Sequence, residues 1–249
     1  MNIYVCVKQV PDTEARVQVA GDGQSIETTD MNTILNPFDE FAVEQALLTQ
    51  EQHGGEVTAV SLGDDGAAAA IRTAMAMGVD KGIHLKTDQK ADDPLQVARA
   101  LAREIGGSGV DVVFFGKQAV GNEHGQTGLI VAELLGIPAI SEVSSLEVSE
   151  GSAMGKREIE GGSESFETGL PAIFTTQKGL NEPRYPSLKG RMAAKKKPID
   201  EKAVTLDEPL LKVESINYPP QRERGRVVGE GAAAVPELVR LLKEEAKVL

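Results

Sequence analysis

Over its first 140 residues the chain alternates short apolar runs with segments of helical spacing, and this alternation limits the fold more than any other feature. The opening run is Ile3-Tyr4-Val5-Cys6-Val7, closed off by Pro11, which has no N–H to offer a neighbouring strand. Asn36-Pro37 then starts a helical pattern carrying Phe38, Phe41, Ala42, Ala46 and Leu47. Residues 56–62 read as a strand cut off by Gly63-Asp64-Asp65-Gly66, and 67–77 as a helix of small residues with Gly78 at its end. Residues 81–86, a helix begun by Asp93-Pro94, the run 110–115 and a helix over 125–135 repeat the pattern. Such alternation predicts right-handed crossovers and a mostly parallel sheet, an α/β domain of Rossmann-like type. Aromatic residues make up 4% of the chain and Trp is absent, so the core must be built from Val, Ile, Leu and Ala. Strands buried on both faces suit that composition.

Beyond Pro138 the texture changes. Residues 143–148, 153–160, 164–168 and 171–176 read as short strands of a β-meander, separated by glycine-rich turns. A hairpin is expected earlier, over 15–29, with Gly21-Asp22-Gly23 as its turn. Residues 177–198 look loop-rich, and 199–230 polar and extended, with Pro219-Pro220 and a charged run over 221–226. A helix over 235–249 carries Leu238, Leu241 and Leu242 on one stripe. That helix either packs on its own domain or belongs to an arm that reaches a partner. The division expected is an α/β domain with a β-rich extension over 1–198, then an arm and helix over 199–249.

With 38 acidic and 26 basic side chains the formal net charge is −12, a field that repels nucleic acid. The cluster Lys189, Arg191, Lys195, Lys196, Lys197 is either a solvated surface run or a patch that orients an acidic partner. Cys6 is the only cysteine, so no internal disulfide forms, and His53, His84 and His124 are not at metal-ligand spacing. No stretch approaches the roughly 18 apolar residues of a membrane span, and no charged-then-apolar leader opens the chain. A cytoplasmic protein is expected. No Ser/His/Asp arrangement can be assembled, so the sequence reads as a binder without catalytic turnover.

In open parallel sheets, ligands sit beyond the carboxyl ends of the strands where the topology switches. Four segments lie at such ends: residues 7–11, 61–66, 116–128 and the Thr175-Thr176 pair. The third says most. Gly116-Lys117-Gln118 leaves a buried strand, Gly121-Asn122-Glu123-His124-Gly125 forms the loop, and Gln126-Thr127-Gly128 opens a helix. Small residues at a helix start leave N–H groups open to a phosphate, and Thr127 adds a hydroxyl. Neither a Walker A loop nor a Gly-x-Gly-x-x-Gly fingerprint is present. The competing reading is a glycine-rich turn before a helix, with no ligand.

The run Gly155-Lys156-Arg157-Glu158-Ile159-Glu160-Gly161-Gly162-Ser163-Glu164-Ser165-Phe166, followed by Leu170-Pro171-Ala172-Ile173, closely resembles the signature of electron-transfer flavoprotein β subunits. Phe166 stands where an aliphatic residue is common. Val7-Lys8-Gln9-Val10-Pro11-Asp12, Leu35-Asn36-Pro37-Phe38, Gly116-Lys117-Gln118-Ala119, Leu180-Asn181-Glu182-Pro183-Arg184-Tyr185 and Pro219-Pro220-Gln221-Arg222 extend the likeness over nearly the whole chain. The resemblance implies an adenine-nucleotide-hydrolase-like fold, an α-subunit partner holding most of an FAD and touched by the C-terminal arm, and a structural AMP in this chain. By position, the AMP site is similar to Cys6, Asn36, Pro37, Phe38, Asp39, Leu62, Val120, Gly121, Asn122, Glu123, His124, Gly125, Gln126, Thr127, Gly128 and Val131. Residues near Thr13 are implied to approach the flavin. Residues 180–192 resemble the loop that docks primary flavin dehydrogenases, with Leu188 as anchor beside Tyr185 and Arg191.

Bifurcating members of the family hold a second FAD in place of AMP, with a loop of the type Asp-Thr-Ala-Gln-Val-Gly. Here Glu123-His124-Gly125-Gln126-Thr127-Gly128 is nearer the AMP type, although Val10-Pro11-Asp12-Thr13 points the other way. A stand-alone adenine-nucleotide-binding regulatory protein is the rival from another class. It has no use for the later β-rich segment, the 180–192 loop or the arm.

Overall fold

β1 (Asn2–Cys6) shows why this chain folds as one sheet between two helical layers: Ile3 and Val5 point to one face, Tyr4 and Cys6 to the other, and all four are buried. The structure is a computed structural model and describes residues 1–222 and 224–249; Glu223, in the charged run of the expected arm, lies outside the described residues. After β1 come β2 (Gln9–Pro11), β3 (Thr33–Leu35), α1 (Pro37–His53), β4 (Glu56–Gly63), α2 (Ala67–Met77), β5 (Lys81–Lys86), α3 (Pro94–Gly106), β6 (Val112–Gly116) and α4 (Thr127–Leu135). The second half holds β7 (Ala139–Ser149), β8 (Ser152–Ile159), β9 (Gly162–Gly169), β10 (Ala172–Thr176), α5 (Leu188–Ala194), β11 (Ile199–Ala203) and α6 (Val235–Glu244).

The main sheet has nine strands in the order β11-β5-β4-β1-β6-β10-β7-β8-β9, with every pairing parallel except β7–β8 and β8–β9. On one face, Ala42, Val43 and Ala46 of α1 and Ile71, Ala74 and Met75 of α2 pack against Ile3, Val5, Phe114 and Phe174. On the other, Leu101 and Ile105 of α3 and Val131 of α4 cover Tyr4, Cys6, Val113 and Ile173. The alternation of the sequence is thus realised as an α/β sandwich. Small residues let the helices lie close: a Cβ on Gly82 of β5 would stand 2.4 Å from the Ile71 side chain of α2. The chain runs from β1 to β4 and β5 on one side, then crosses to β6, β10 and β7 on the other, so the switch lies between β1 and β6.

Several expectations change. The meander is limited to β7, β8 and β9, because β10 returns to the centre between β6 and β7, parallel to both and buried at every residue. Over 15–29 the expected hairpin is short and irregular: a single antiparallel bridge, Val19 with Ile26, is flanked by Ala20 N donating to Ser25 O and Glu27 N to Gln18 O, both at 2.9 Å, around the Gly21-Asp22-Gly23 turn, and the regular antiparallel pair is β2 with β3. Within the stretch read as loop, Ser187 caps α5, its Oγ accepting from Gly190 N at 2.9 Å. At the start of the expected arm, residues 199–203 instead pair with β5 as β11. The chain then runs over α3 and the loop before it: Gln89 Oε1 accepts from Leu206 N at 2.7 Å, and Arg103 of α3 donates to both carboxylate oxygens of Asp207 at 2.9 Å. The C-terminal helix ends at Glu244, short of the expected 249, and none of its residues is buried. No helix among the described residues is long and apolar enough to cross a membrane.

Candidate functional site

At the β1/β6 switch, one carboxylate ties three elements together. Asp39, in the first turn of α1, accepts from Lys8 N at 2.8 Å, from Gly116 N at 3.1 Å and from the Asn36 side chain at 2.8 Å. The ends of β1 and β6 and the start of α1 are therefore held at fixed spacing. Asp39 is buried, and burial pushes its pKa up to about 7 against the pull of the hydrogen bonds from Asn36, Lys8 and Gly116. Only glycine fits at position 116, since a Cβ there would lie 2.3 Å from Asp39 Oδ1. Asn36 extends the tie. Its Nδ2 also donates to Gln118 O at 2.9 Å and its Oδ1 accepts from Val120 N at 3.2 Å, so the loop leaving β6 hangs from this one side chain.

Below that loop opens a pocket. Its inner walls are apolar: Cys6, Val60, Leu62, Pro94, Val97, Leu101 and Phe115. Burial pushes the Cys6 thiol up, so it stays protonated and acts as an apolar wall. The rim is polar, with Lys8, Lys117, Asn122, His124 and Thr127. Gln126 precedes α4 without any side-chain cap, which leaves the first-turn N–H groups open. Gly128 lets that helix start lie directly on the sheet, for a Cβ there would meet the Phe115 side chain at 3.0–3.3 Å. The two lysines differ. Among the described residues Lys8 makes no ion pair, whereas Lys117 Nζ meets Glu142 Oε2 at 3.1 Å and lies over the Phe38 ring, 5.7 Å from its centre.

Of the residues expected at a nucleotide site, the structure gathers Cys6, Asn36, Asp39, Leu62, Asn122, His124, Gly125, Thr127 and Gly128 around this pocket. Others stand just behind it. Pro37 and Phe38 begin α1, the Val120 N–H is held by Asn36, Gln126 precedes α4, and Val131 lies on the buried face of that helix. Gly121 and Glu123 lie on the exposed outer side of the loop, both with positive φ, 102° and 46°. Sequence reasoning missed the far wall, formed by Ala91, Asp92, Pro94 and Val97 at the start of α3. Its signals were the strand end after β5 and the helix start at Asp93-Pro94.

A second feature stands on the α1/α2 face. Residues 180–187 are tied down from beneath: Asn181 Nδ2 donates to Phe41 O at 3.1 Å, and Arg184 grips Glu44 with Nε and Nη2 at 2.8 Å each and Glu51 with Nη1 at 2.7 Å. These pairings raise the Arg184 pKa further above its ordinary value, the hydrogen bond to Glu44 contributing most. Above this base, Tyr185 is 96% and Leu188 80% exposed, so Leu188 does not pack under its own loop. Met192, Lys189, Arg191, Lys195 and Lys196 are exposed around it, while Lys197 turns inward and donates to Val79 O at 2.7 Å. Among the described residues no group of His, Cys, Asp and Glu is arranged to hold a metal.

Residues 25–207 match the family model described as "Electron transfer flavoprotein domain". The whole chain is similar to "Electron transfer flavoprotein subunit beta" of Bacillus subtilis (strain 168), 39% identical with all of both chains covered. It is likewise similar to the proteins of that name from Bradyrhizobium diazoefficiens, 41% identical with both chains fully covered, and Mus musculus, 38% identical with 99% of the relative covered.

Proposed function

The chain belongs to the electron transfer flavoprotein family, among its β subunits, and from that membership we propose that it holds a structural AMP at the β1/β6 switch, completes the cleft of an FAD carried mainly by an α subunit, and docks primary flavin dehydrogenases through residues 180–192. Membership makes it a subunit of an electron carrier that works with an α partner. FAD supplies the electron-carrying chemistry when bound to the pair, and this chain contributes binding surfaces.

The observation that carries the nucleotide reading is the pocket's division into an apolar interior and a cationic, N–H-rich rim. Leu62, Val97 and Leu101 offer a slot for a flat purine, and Lys8 with the open start of α4 suits one phosphate. Residues far apart in sequence converge on that slot, which supports a ligand over a bare turn. The docking reading is supported by two exposed apolar side chains on a base fixed by Arg184, ringed by cations that complement an acidic partner. For the partner α subunit, the support comes from α6 and the chain before it. Val235, Leu238 and Val239 are exposed on a helix with no fully buried residue; before it Ile216 N donates to Gly23 O at 2.8 Å and Tyr218 Oη accepts from Val19 N at 3.0 Å, so residues 219–249 are read as the arm.

The test is to isolate the chain from its own cells with its bound partner and identify the released nucleotides by mass. One AMP and one FAD per pair is the expected result. Two FADs and no AMP keep the family role and overturn the AMP assignment, while a partnerless chain carrying ATP overturns the electron-carrier reading altogether.

A further inference from the structure

Two lysines line the rim of the pocket, and only one of them is free to meet an anion. Lys117 leaves the end of β6, its backbone fixed where Lys117 N donates to Thr176 O at 2.8 Å. Its ammonium is held by the Glu142 carboxylate at 3.1 Å above the Phe38 ring. Glu142 is itself in an unusual position. It lies on β7 with φ 55°, where the pairing with β10 shifts register, and its N–H donates to Thr175 Oγ1 at 2.9 Å. A non-glycine residue in that region is strained unless its surroundings impose the conformation. Here the bulge and the Thr175 hydroxyl impose it, and the result is a carboxylate aimed across β10 at the pocket's second cation.

We propose that Glu142 is a positioning residue that competes with a ligand phosphate for Lys117, and so sets how tightly the pocket holds an anion. This rests on the reading of the pocket as a site for a nucleoside monophosphate. With Glu142 in place, Lys117 presents a largely neutralised ion pair to the rim, and Lys8, with Asp39 and Asp92 also lining the pocket, is the lysine without an ion-pair partner among the described residues. A phosphate that draws Lys117 over must break the pair, so part of its attraction is spent on that exchange. Removing the carboxylate leaves Lys117 uncommitted.

The test is calorimetric binding of AMP, and of adenosine as a phosphate-free probe, to the full chain prepared free of nucleotide. Glu142→Gln is expected to tighten AMP by about three- to fivefold, the range for a partly exposed ion pair, with adenosine unchanged. In a Lys117→Met background the same change is expected to have no effect on AMP, since the competition has lost its object. Equal AMP affinity for wild type and Glu142→Gln overturns the proposal, as does an equal shift for AMP and adenosine, which marks a structural effect of the bulge. AMP binding to neither protein overturns the nucleotide reading of the pocket, and this inference with it.

Discussion

Arg184 closes on Glu44 through two guanidinium–carboxylate hydrogen bonds of 2.8 Å, and the same carboxylate accepts from the Arg184 backbone N–H at 3.0 Å. Glu44 sits mid-way along α1 with its side chain 6% exposed, so this clamp is what joins the exposed loop to the rigid α/β body. A bidentate pair with a backbone donor fixes direction as well as distance. The loop's exposed side chains therefore project from a stiff base.

Replacing Arg184 by Met is expected to destabilise the chain by about 2 kcal/mol, because the buried Glu44 carboxylate keeps the backbone N–H but loses both guanidinium donors. Urea unfolding measures this. The loop should also loosen on its own: limited proteolysis is expected to cut within residues 180–187 faster in the variant. Unchanged cleavage would show that the neighbouring Asn181 contacts hold the loop by themselves.

Leu188→Ala separates docking from folding. At 80% exposure Leu188 contributes little to its own fold, so its truncation is expected to change stability by no more than about 0.5 kcal/mol. Loss of an anchoring side chain from a partner pocket costs about 1–2 kcal/mol or more, so the rate of electron transfer from the dehydrogenase at sub-saturating concentration should fall about tenfold. FAD and AMP content of the αβ pair should stay the same. A normal transfer rate removes the anchor role.

How much of this was legible beforehand differs from element to element. The helix α2 was readable to the residue, because a run of small apolar residues ends at Gly78, whose φ of 146° other residues rarely adopt. Position β10 was harder: Ala172-Ile173-Phe174-Thr175-Thr176 reads the same as a hairpin strand, and only the tertiary fold inserts it between β6 and β7. The polar Ile199-Asp200-Glu201-Lys202-Ala203 looks like linker because an edge strand has one neighbour and exposes most of its side chains. At the pocket, the residues on the loop after β6 announced themselves through glycine and a helix start. Pro94 was marked only as a helix start and Val97 as an ordinary apolar residue of α3; both matter because of where β5 puts them.

Gly128→Ala tests the contact that seats α4 on the sheet. The added Cβ meets Phe115 Cγ, Cδ2 and Cβ at 3.0, 3.2 and 3.3 Å, and atoms so near the backbone cannot swing away. The helix start must move outward by a few tenths of an ångström, at a cost of about 1–3 kcal/mol. Because the same turn forms the rim of the pocket, the expected outcome is a lower Tm together with a lower AMP content in the purified complex. A drop in Tm with full AMP content would separate the helix start from the nucleotide.

Asp39 makes stability depend on pH in a direction opposite to that of most carboxylates. An unfolded aspartate titrates near 3.8, and burial raises this one to about 7 in the native protein. Between those values the folded chain keeps a proton that the unfolded chain has released, so stability falls as pH rises. The contribution is fully present below pH 3.8 and is lost as pH climbs through about 7, a total on the order of 4 kcal/mol. Asp207, held below its usual range by Arg103, works the other way, so the two effects overlap in the wild-type curve. Asp39→Asn isolates the first. Near pH 4 the amide replaces a protonated carboxyl and turns an NH2 toward one of the three donors, so there the variant is less stable by about 1–3 kcal/mol. The deficit should shrink as pH rises and reverse toward pH 8, where the wild type has lost its larger contribution, read from urea midpoints across that range. A deficit that stays constant or widens as pH rises would mean that Asp39 is ionised throughout, held as a carboxylate by Lys8, Asn36 and Gly116 despite its burial.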